Sequence, residues 1–482
     1  MYELDGASVR VGILEAALDI AGTRGEPAVT LGEVANSLQC PLSDIEAEFS
    51  SSSEILEAMP DFLDWRLTNY MEKVVDRLPE GAGAAEILKA LGEGYFFYCQ
   101  EQPELYGYLF ERYPALDDVQ VCNMAKGTHT GNSSADFVVN VLKQLAQEQG
   151  AVVGEDIALG DIGRIALAIW SIIHGLSHLS TKGVVRFQHS VIRIANLRQT
   201  VQLVLEAIID WFATKDIPER RPIMYSAREV VERAMGQWED RPLVAPQSVE
   251  SLEFEKAKDL IIETALQVAA REGVGRSFFK QVAQELNTTT DFLNSVIDND
   301  FALREYAEER VTLEMAEMFE KAIGSLPADT AIVDRLHIVA SVYFNFSLRH
   351  TERFCAVIGL ANGSIVPHSG DGSPHEGMTE NFAFMMKLLR EFVMEAGIQP
   401  TDQLVYLSAL AMWAGADGVS HLCALGDFRE YEDDLKWGLF SKALTLSFFA
   451  VAYGLQLMDK DRACQVVCVW GGVYRYLSKR SG

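Results

Sequence analysis

The residue order contains itself twice. The shift that carries Glu15 onto Glu263, 248 positions on, aligns "ILEAALDIAGTRGEPAVTLGEVANSL" from Ile13 with "IIETALQVAAREGVGRSFFKQVAQEL" from Ile261 without a gap. Ala17 meets Ala265, Leu18 meets Leu266, Ala21 meets Ala269, Gly25 meets Gly273, Val34-Ala35 meets Val282-Ala283 and Leu38 meets Leu286. These apolar positions recur every three or four residues. Each copy therefore spells the inner face of one helix, a glycine turn and the inner face of the next. The same shift lays "YFFYCQEQPELY" from Tyr95 over "YFNFSLRHTERF" from Tyr343. A slightly shorter shift, the 243 positions from Trp170 to Trp413, lays "WSIIHGLSHL" over "WAGADGVSHL". A chain of this kind is expected to fold as two related units, each a small head followed by a long body.

Periods of three and four run throughout, whereas neither Val/Ile/Thr alternation nor Asn-Gly hairpin turns recur, so the fold class is all-α. The expected division is a first head at 1–56, a first body at 57–215, a linker at 216–255, a second head at 256–304 and a second body at 305–482. The linker is rich in Pro and charge and carries one short amphipathic pattern, "SAREVVERAMGQW". Two polar, Gly-rich stretches, "GTHTGNSS" (127–134) and "GSIVPHSGDGSPHEG" (363–377), read as mobile loops in the bodies. The chain is 49% hydrophobic, which excludes a disordered protein, and 482 residues exceed one ordinary core.

Charge narrows the partners. With 41 basic against 69 acidic residues, the formal net charge of -28 repels nucleic acid and anionic lipid at long range. The seven cysteines include no CxxC pair, and the first ten residues contain no apolar signal core; both suit a reducing cytoplasm. The apolar stretch 437–458 is interrupted by Lys442. It falls short of the ~20 residues of a spanning helix and reads as a buried helix, with no membrane partner expected.

Each head resembles the helix-turn-helix of the tetracycline-repressor (TetR) family, through "ILEAALDIAGTRG" and "VTLGEVANSL". The body segment "WSIIHGLSHL" is similar to the Trp-His-Gly signature of one class of TetR ligand-binding domain. The resemblance implies a helical body that closes over a small molecule and a ligand-dependent spacing of two heads. It also implies that the tandem chain stands for the family's homodimer made covalent, an intrachain pseudo-dimer. The last helices of the bodies, 193–212 and 437–457, would then pack as a four-helix interface.

The reading helices depart from that family's pattern. Its phosphate-contacting Tyr falls at Glu46 and Asn294, the His two positions on at Glu48 and Val296, and the following Lys at Ser52 and Asp300. The residues expected on the two reading faces are Ser43, Asp44, Glu46, Ala47 and Glu48 in the first head, and Thr289, Thr290, Asp291, Asn294 and Ser295 in the second. From Val9 to Leu56 the only basic residues are Arg10 and Arg24. Lys256, Lys258, Arg271, Arg276 and Lys280 make the second head less hostile to phosphate. Phosphate contacts supply most non-specific affinity and set the helix before a base is read, so DNA binding is expected to be weak or absent. Three readings stay open: the helices are scaffold, they hold DNA through unusual contacts or a basic partner chain, or the acidic face itself docks on another regulator.

In the bodies, His174 and His178 stand four apart on one helix, and Asp417 and His421 match them one repeat on. That spacing suits a metal site, but a third ligand is required and the loop residues His129, His368 and His375 are not fixed by anything in the sequence. The other reading is a hydrogen-bonded core or pocket residue, with Gly175 and Gly418 allowing close helix contact. Together with the aromatic residues at helical spacing, the candidate ligand pocket comprises Tyr95, Tyr98, Tyr106, Trp170, His174 and His178 in the first body, and Tyr343, Phe346, Trp413, Asp417 and His421 in the second. No phosphate loop, nucleophile elbow, HExxH helix or dinucleotide fingerprint occurs, and no cofactor or catalytic residue is expected. The functional expectation is a TetR-like transcriptional regulator sensing a hydrophobic small molecule. The alternatives are an interaction protein that docks on another regulator, and a ligand-binding sensor with vestigial heads.

Overall fold

The computed structural model describes residues 9–24, 26–101, 123–124, 126–129, 133–181, 185, 188–215, 230–231, 249–272, 278–351, 353–354, 356, 380–426, 428–429 and 431–458. Among the described residues there are sixteen α-helices and no strand, only an isolated bridge between Val153 and Ile157. The fold of the described residues is all-α. It divides into two compact units: Met1–Trp170 with Leu425–Lys436, and Ser171–Ala424 with Trp437–Gly482. The stretches 363–377 and most of 216–248 lie outside the described residues, as do residues 130–132 of the 127–134 loop.

The first unit opens with α1 (Val9–Arg24), α2 (Leu31–Leu38) and α3 (Leu42–Glu48), closed over by the long α4 (Ser52–Val75). Ile13, Ala17, Leu18, Ala21, Val34 and Ala35 are all buried, as the periodicity requires. Leu38 departs from that pattern: it is 39% exposed, whereas its repeat partner Leu286 is buried. The starts of α2 and α4 are marked by side-chain caps. Thr30 accepts the Glu33 amide at 3.1 Å, Ser51 accepts the Glu54 amide at 3.2 Å, and Glu54 reaches back to the Ser50 amide at 2.7 Å. The body continues with α5 (Ala84–Glu101) and α6 (Ser133–Glu148), which pack with α4 around Phe62, Met71, Leu88, Phe96 and Leu142. Helix α7 (Leu159–Thr181) leaves this unit at Trp170 and enters the second at Ser171.

In the second unit α8 (Ser190–Thr214) packs on α15 (Asp402–Ala424). The second head is α9 (Phe254–Glu272), α10 (Phe278–Glu285) and α11 (Thr290–Val296) under α12 (Asp300–Gly324). It is followed by α13 (Ile332–Arg349), α14 (Glu380–Glu395), α15 and α16 (Asp433–Met458). Helix α13 is buried on every side from Leu336 to Ser347 and packs against α12, α14 and α15. Phe344 stacks on Phe440 of α16 at 4.4 Å between centroids. By length and composition, α7 and the Asp433–Ala452 part of α16 reach what crossing a membrane requires, yet 67% and 65% of those windows is buried inside the protein. That burial is what a core helix shows.

Candidate functional site

The heads come first, because their outer faces decide what they hold. In both, the turn between the second and third helices carries a residue in the left-handed region: Gln39 at φ 55° and Asn287 at φ 50°. The Cys40 amide donates to the Ala35 carbonyl at 3.1 Å and, one repeat on, the Thr288 amide donates to the Ala283 carbonyl at 2.9 Å. Ile45 and Phe49 anchor α3, and Leu293 and Ile297 anchor α11, each with at most 1% of its surface exposed. That anchoring turns the remaining positions outward. Ser43, Asp44, Glu46, Ala47 and Glu48 are all exposed, and so are Thr289, Thr290, Asp291, Asn294 and Ser295.

The cations nearby are engaged within the protein. Arg10 donates to the Glu48 carbonyl at 2.9 Å and lies over the Phe49 ring at 4.0 Å, while Arg24 pairs with Glu33 at 2.8 Å. In the second head Lys256 pairs with Glu253, Arg271 with Glu285, and Lys258 sits over the Tyr306 ring. Lys280 is exposed on α10, and Arg276 lies outside the described residues. The two reading faces thus present carboxylates, hydroxyls and one amide, with no guanidinium or ammonium among the ten residues expected there.

The second feature is a buried polar cluster where α7 and α15 cross in the second unit. Gly175 and Gly418 form the crossing point. A Cβ on Gly175 would lie 1.9 Å from the Ala414 carbonyl oxygen, and one on Gly418 would lie 1.8 Å from that of Ser171. Only hydrogen fits at either position, so both glycines permit the close approach expected of them. The contact is reciprocal, since Ser171 and Ala414, like Gly175 and Gly418, stand 243 positions apart.

Around that point the side chains bond to one another. His174 Nε2 and His421 Nδ1 share a hydrogen at 2.7 Å, one donating and the other accepting. Asp417 accepts from His178 Nδ1 at 2.6 Å and from Tyr343 Oη of α13 at 2.6 Å. The His421 ring lies 4.8 Å from that of His174 and 4.7 Å from that of His178. Trp413 covers Tyr343, with centroids 4.7 Å apart. His174 and His421 are wholly buried, and His178, Asp417 and Tyr343 nearly so. Burial and the Asp417 carboxylate hold the Tyr343 hydroxyl protonated far above the usual phenol range.

Six of the expected pocket residues therefore meet: His174, His178, Tyr343, Trp413, Asp417 and His421. Phe346 is buried elsewhere on α13, with its ring against His350 at 5.3 Å. Tyr95, Tyr98 and Trp170 belong to the first unit, where Tyr98 meets Tyr70 edge-on at 5.6 Å and Trp170 meets Phe428 at 5.7 Å. Burial pushes the Tyr98 hydroxyl up to about 12. Tyr106 lies outside the described residues. Of the loop histidines, His129 pairs with Asp136 at 2.5 Å, and His368 and His375 are outside the described residues. Among the described residues no group of three or more His, Cys, Asp or Glu side chains is placed to hold a metal ion.

Sequence reasoning missed two networks. Arg310 of α12 holds Asp259 at 2.5 Å and Glu263 at 3.5 Å, and Arg353 holds Glu263 at 2.7 Å and Glu314 at 2.8 Å, tying the second head to its body. Gln188 donates to Tyr406 Oη at 2.7 Å and accepts from Asn196 at 3.0 Å, joining α8 to α15. The i, i+4 spacing of Asp259 and Glu263 on α9 was the one local signal for the first. Partners far apart in sequence left none for the second.

No curated protein matches the chain. Residues 88–206 match the family model described as "Tetracyclin repressor-like, C-terminal domain". That span runs from α5 into α8 and contains Trp170, His174, Gly175 and His178. Over residues 88–206 the chain is thus similar to the C-terminal domain of tetracycline-repressor-like proteins.

Proposed function

We propose that this regulator is a tandem molecule, one chain supplying both halves of the family's usual pair, whose bodies sense a hydrophobic small molecule and whose first head does not itself hold DNA. The observation that carries the last point is the fate of the arginines. Both cations of the first head are bonded within the protein, and Asp44, Glu46 and Glu48 stand exposed on the face expected to meet phosphate. Like charges a few Å from a duplex repel it, and among the described residues no cation on that face offsets them. The tandem reading is supported by the reciprocal contact at Gly175 and Gly418, in which equivalent positions of the repeat face each other as they do across a two-fold interface. The aromatic surroundings of Tyr95 and Tyr98 on α5 support an apolar effector.

The test is fluorescence anisotropy with a labelled random duplex at low ionic strength, where phosphate attraction is strongest. The protein is expected to leave the signal unchanged. The triple variant Glu46→Tyr, Glu48→His, Ser52→Lys is expected to bind at least about tenfold more tightly, since each restored phosphate contact adds to the salt-dependent affinity. Tight binding by the unaltered chain overturns the reading. A second reading, in which the acidic face docks on the basic head of another regulator, is favoured by the exposure of all three carboxylates on α3. Co-purification from the native cell, lost on Glu46→Lys, Glu48→Lys, tests it.

A further inference from the structure

Helices α4 and α5 of the first body hold two buried hydroxyls, Thr68 Oγ1 and Tyr98 Oη, that find no hydrogen-bond partner among the described residues. Their residues are 7% and 3% exposed. The threonine breaks a habit of this chain. Within other helices Thr181, Thr264 and Thr312 return the hydroxyl to the carbonyl four residues back, at 2.6, 2.8 and 2.9 Å. Thr68 does not. The Tyr98 ring lies edge-on to Tyr70, and burial pushes its hydroxyl up to about 12, so it keeps its proton and offers it as a donor. Between the two helices Gly94 meets Met71: a Cβ on that glycine would lie 3.2 Å from Met71 Cα. Thr68 stands one turn before Met71 and Tyr98 one turn after Gly94, so both hydroxyls border the same contact. Met71 is an unbranched thioether, the kind of side chain that repacks around a guest.

The second body differs at each of these positions. One repeat on, Thr68 becomes Ala316, Tyr98 becomes Phe346 and Met71 becomes Phe319. Both hydroxyls are gone, and a rigid ring replaces the flexible thioether. Phe319 and Phe346 are wholly buried, and Phe319 packs on Phe384 with centroids 5.8 Å apart. The buried polar group beside α12 is Asn381, whose amide donates to Met315 Sδ at 3.4 Å and whose Oδ1 is left as an acceptor. The hydroxyls are therefore not what a body of this kind needs in order to pack. We infer that the α4–α5 contact of the first body is an effector site for an apolar molecule carrying a carbonyl-type oxygen, which the Tyr98 hydroxyl meets as donor with Thr68 beside it, and that the second body does not take that molecule. This rests on the reading of the bodies as small-molecule sensors and names the chemistry the first one selects. A site that buries a donor favours a guest able to accept from it over an equally apolar one that cannot. In the second body Phe346 has no proton to give, and Asn381 Oδ1 would set one lone pair against another.

Equilibrium dialysis of two matched probes against the full chain tests this. One is acetonaphthone, an apolar ketone; the other is isopropenylnaphthalene, in which a methylene group replaces the carbonyl oxygen. The unaltered protein is expected to bind the ketone at one site per chain and about tenfold more tightly than the hydrocarbon. Tyr98→Phe is expected to erase that preference while leaving the hydrocarbon affinity and the melting temperature of the free protein where they were, because the hydroxyl it removes has no partner there. Equal affinities in the unaltered protein, the result of a hydroxyl served by solvent alone, overturn the proposal and leave the sensing reading standing. So does a preference that survives Tyr98→Phe, or a second equivalent ketone site per chain. A marked fall in melting temperature for Tyr98→Phe overturns it as well, since it places the hydroxyl's partner inside the free protein. Binding of neither probe sinks the sensing reading together with the proposal.

Discussion

At Glu15 and Glu263, one repeat apart, the two heads carry the same carboxylate and use it differently. Glu15 is exposed, whereas Glu263 lies between Arg310 and Arg353. The positions equivalent to Asp259, Arg310 and Glu314 are Val11, Phe62 and Arg66 in the first head. Val11 and Phe62 are buried, and Phe62 stacks on Trp65 at 5.6 Å, so the first head meets its body through an apolar joint and the second through an ionic one. The turns, caps and inner faces nonetheless coincide, down to the left-handed residues Gln39 and Asn287. A few buried positions and one tight turn specify the head. The joint beneath it can be rewritten in another chemistry.

That contrast can be broken at several strengths. Phe62→Ala is expected to cost the first unit about 4 kcal/mol in urea unfolding, with little dependence on salt, because it leaves a cavity. Acid is expected to act on the second unit through His337. Burial pulls His337 down to about 4, so its neutral form stabilises fully above the ordinary imidazole value, and that contribution, roughly 3 kcal/mol, is lost as pH falls from about 6.5 through about 4. The repeat partner is Lys89, a half-buried ammonium in place of that imidazole. Unit-resolved thermal melts of His337→Leu against the unaltered chain are expected to differ in their acid limb. Arg353→Met leaves Glu263 and Glu314 without their shared cation in a mostly enclosed site, which is expected to cost about 2 kcal/mol and to loosen α9 against α12 in hydrogen exchange. At the weak end, Gln39→Gly relieves a left-handed side-chain residue and is expected to raise stability by up to about 1 kcal/mol, whereas Asn287→Gly is expected to change it by a few tenths, since Asn tolerates that region.

The helical class, the buried faces of the repeated helices and the glycine crossing were legible because each depends on spacing along the chain. Ile13, Ala17 and Ala21 announce a buried face locally, and the repeat doubles the signal. The cluster was legible only in part. His174 and His178 declare a shared face, but nothing local says that His178 bonds Asp417, 239 residues away, or that Tyr343 completes the set. Leu38 shows the opposite limit: apolar at the right spacing, it is exposed because α2 ends there and the chain turns away. The arginine pairs of the heads were invisible for a further reason. Charge composition counts cations without saying which of them another part of the chain has already taken.

The pairing of His178 with Asp417 has one more consequence. In an assembly of identical subunits, any residue beside the symmetry axis meets its own likeness, and a base can face an acid there only at the expense of a mirrored arrangement elsewhere. Here His174 and Asp417 occupy corresponding places in the two copies, yet one is a base and the other an acid. In the tandem molecule proposed above, joining the copies end to end would let each side mutate alone, so complementarity becomes available where self-likeness would otherwise rule.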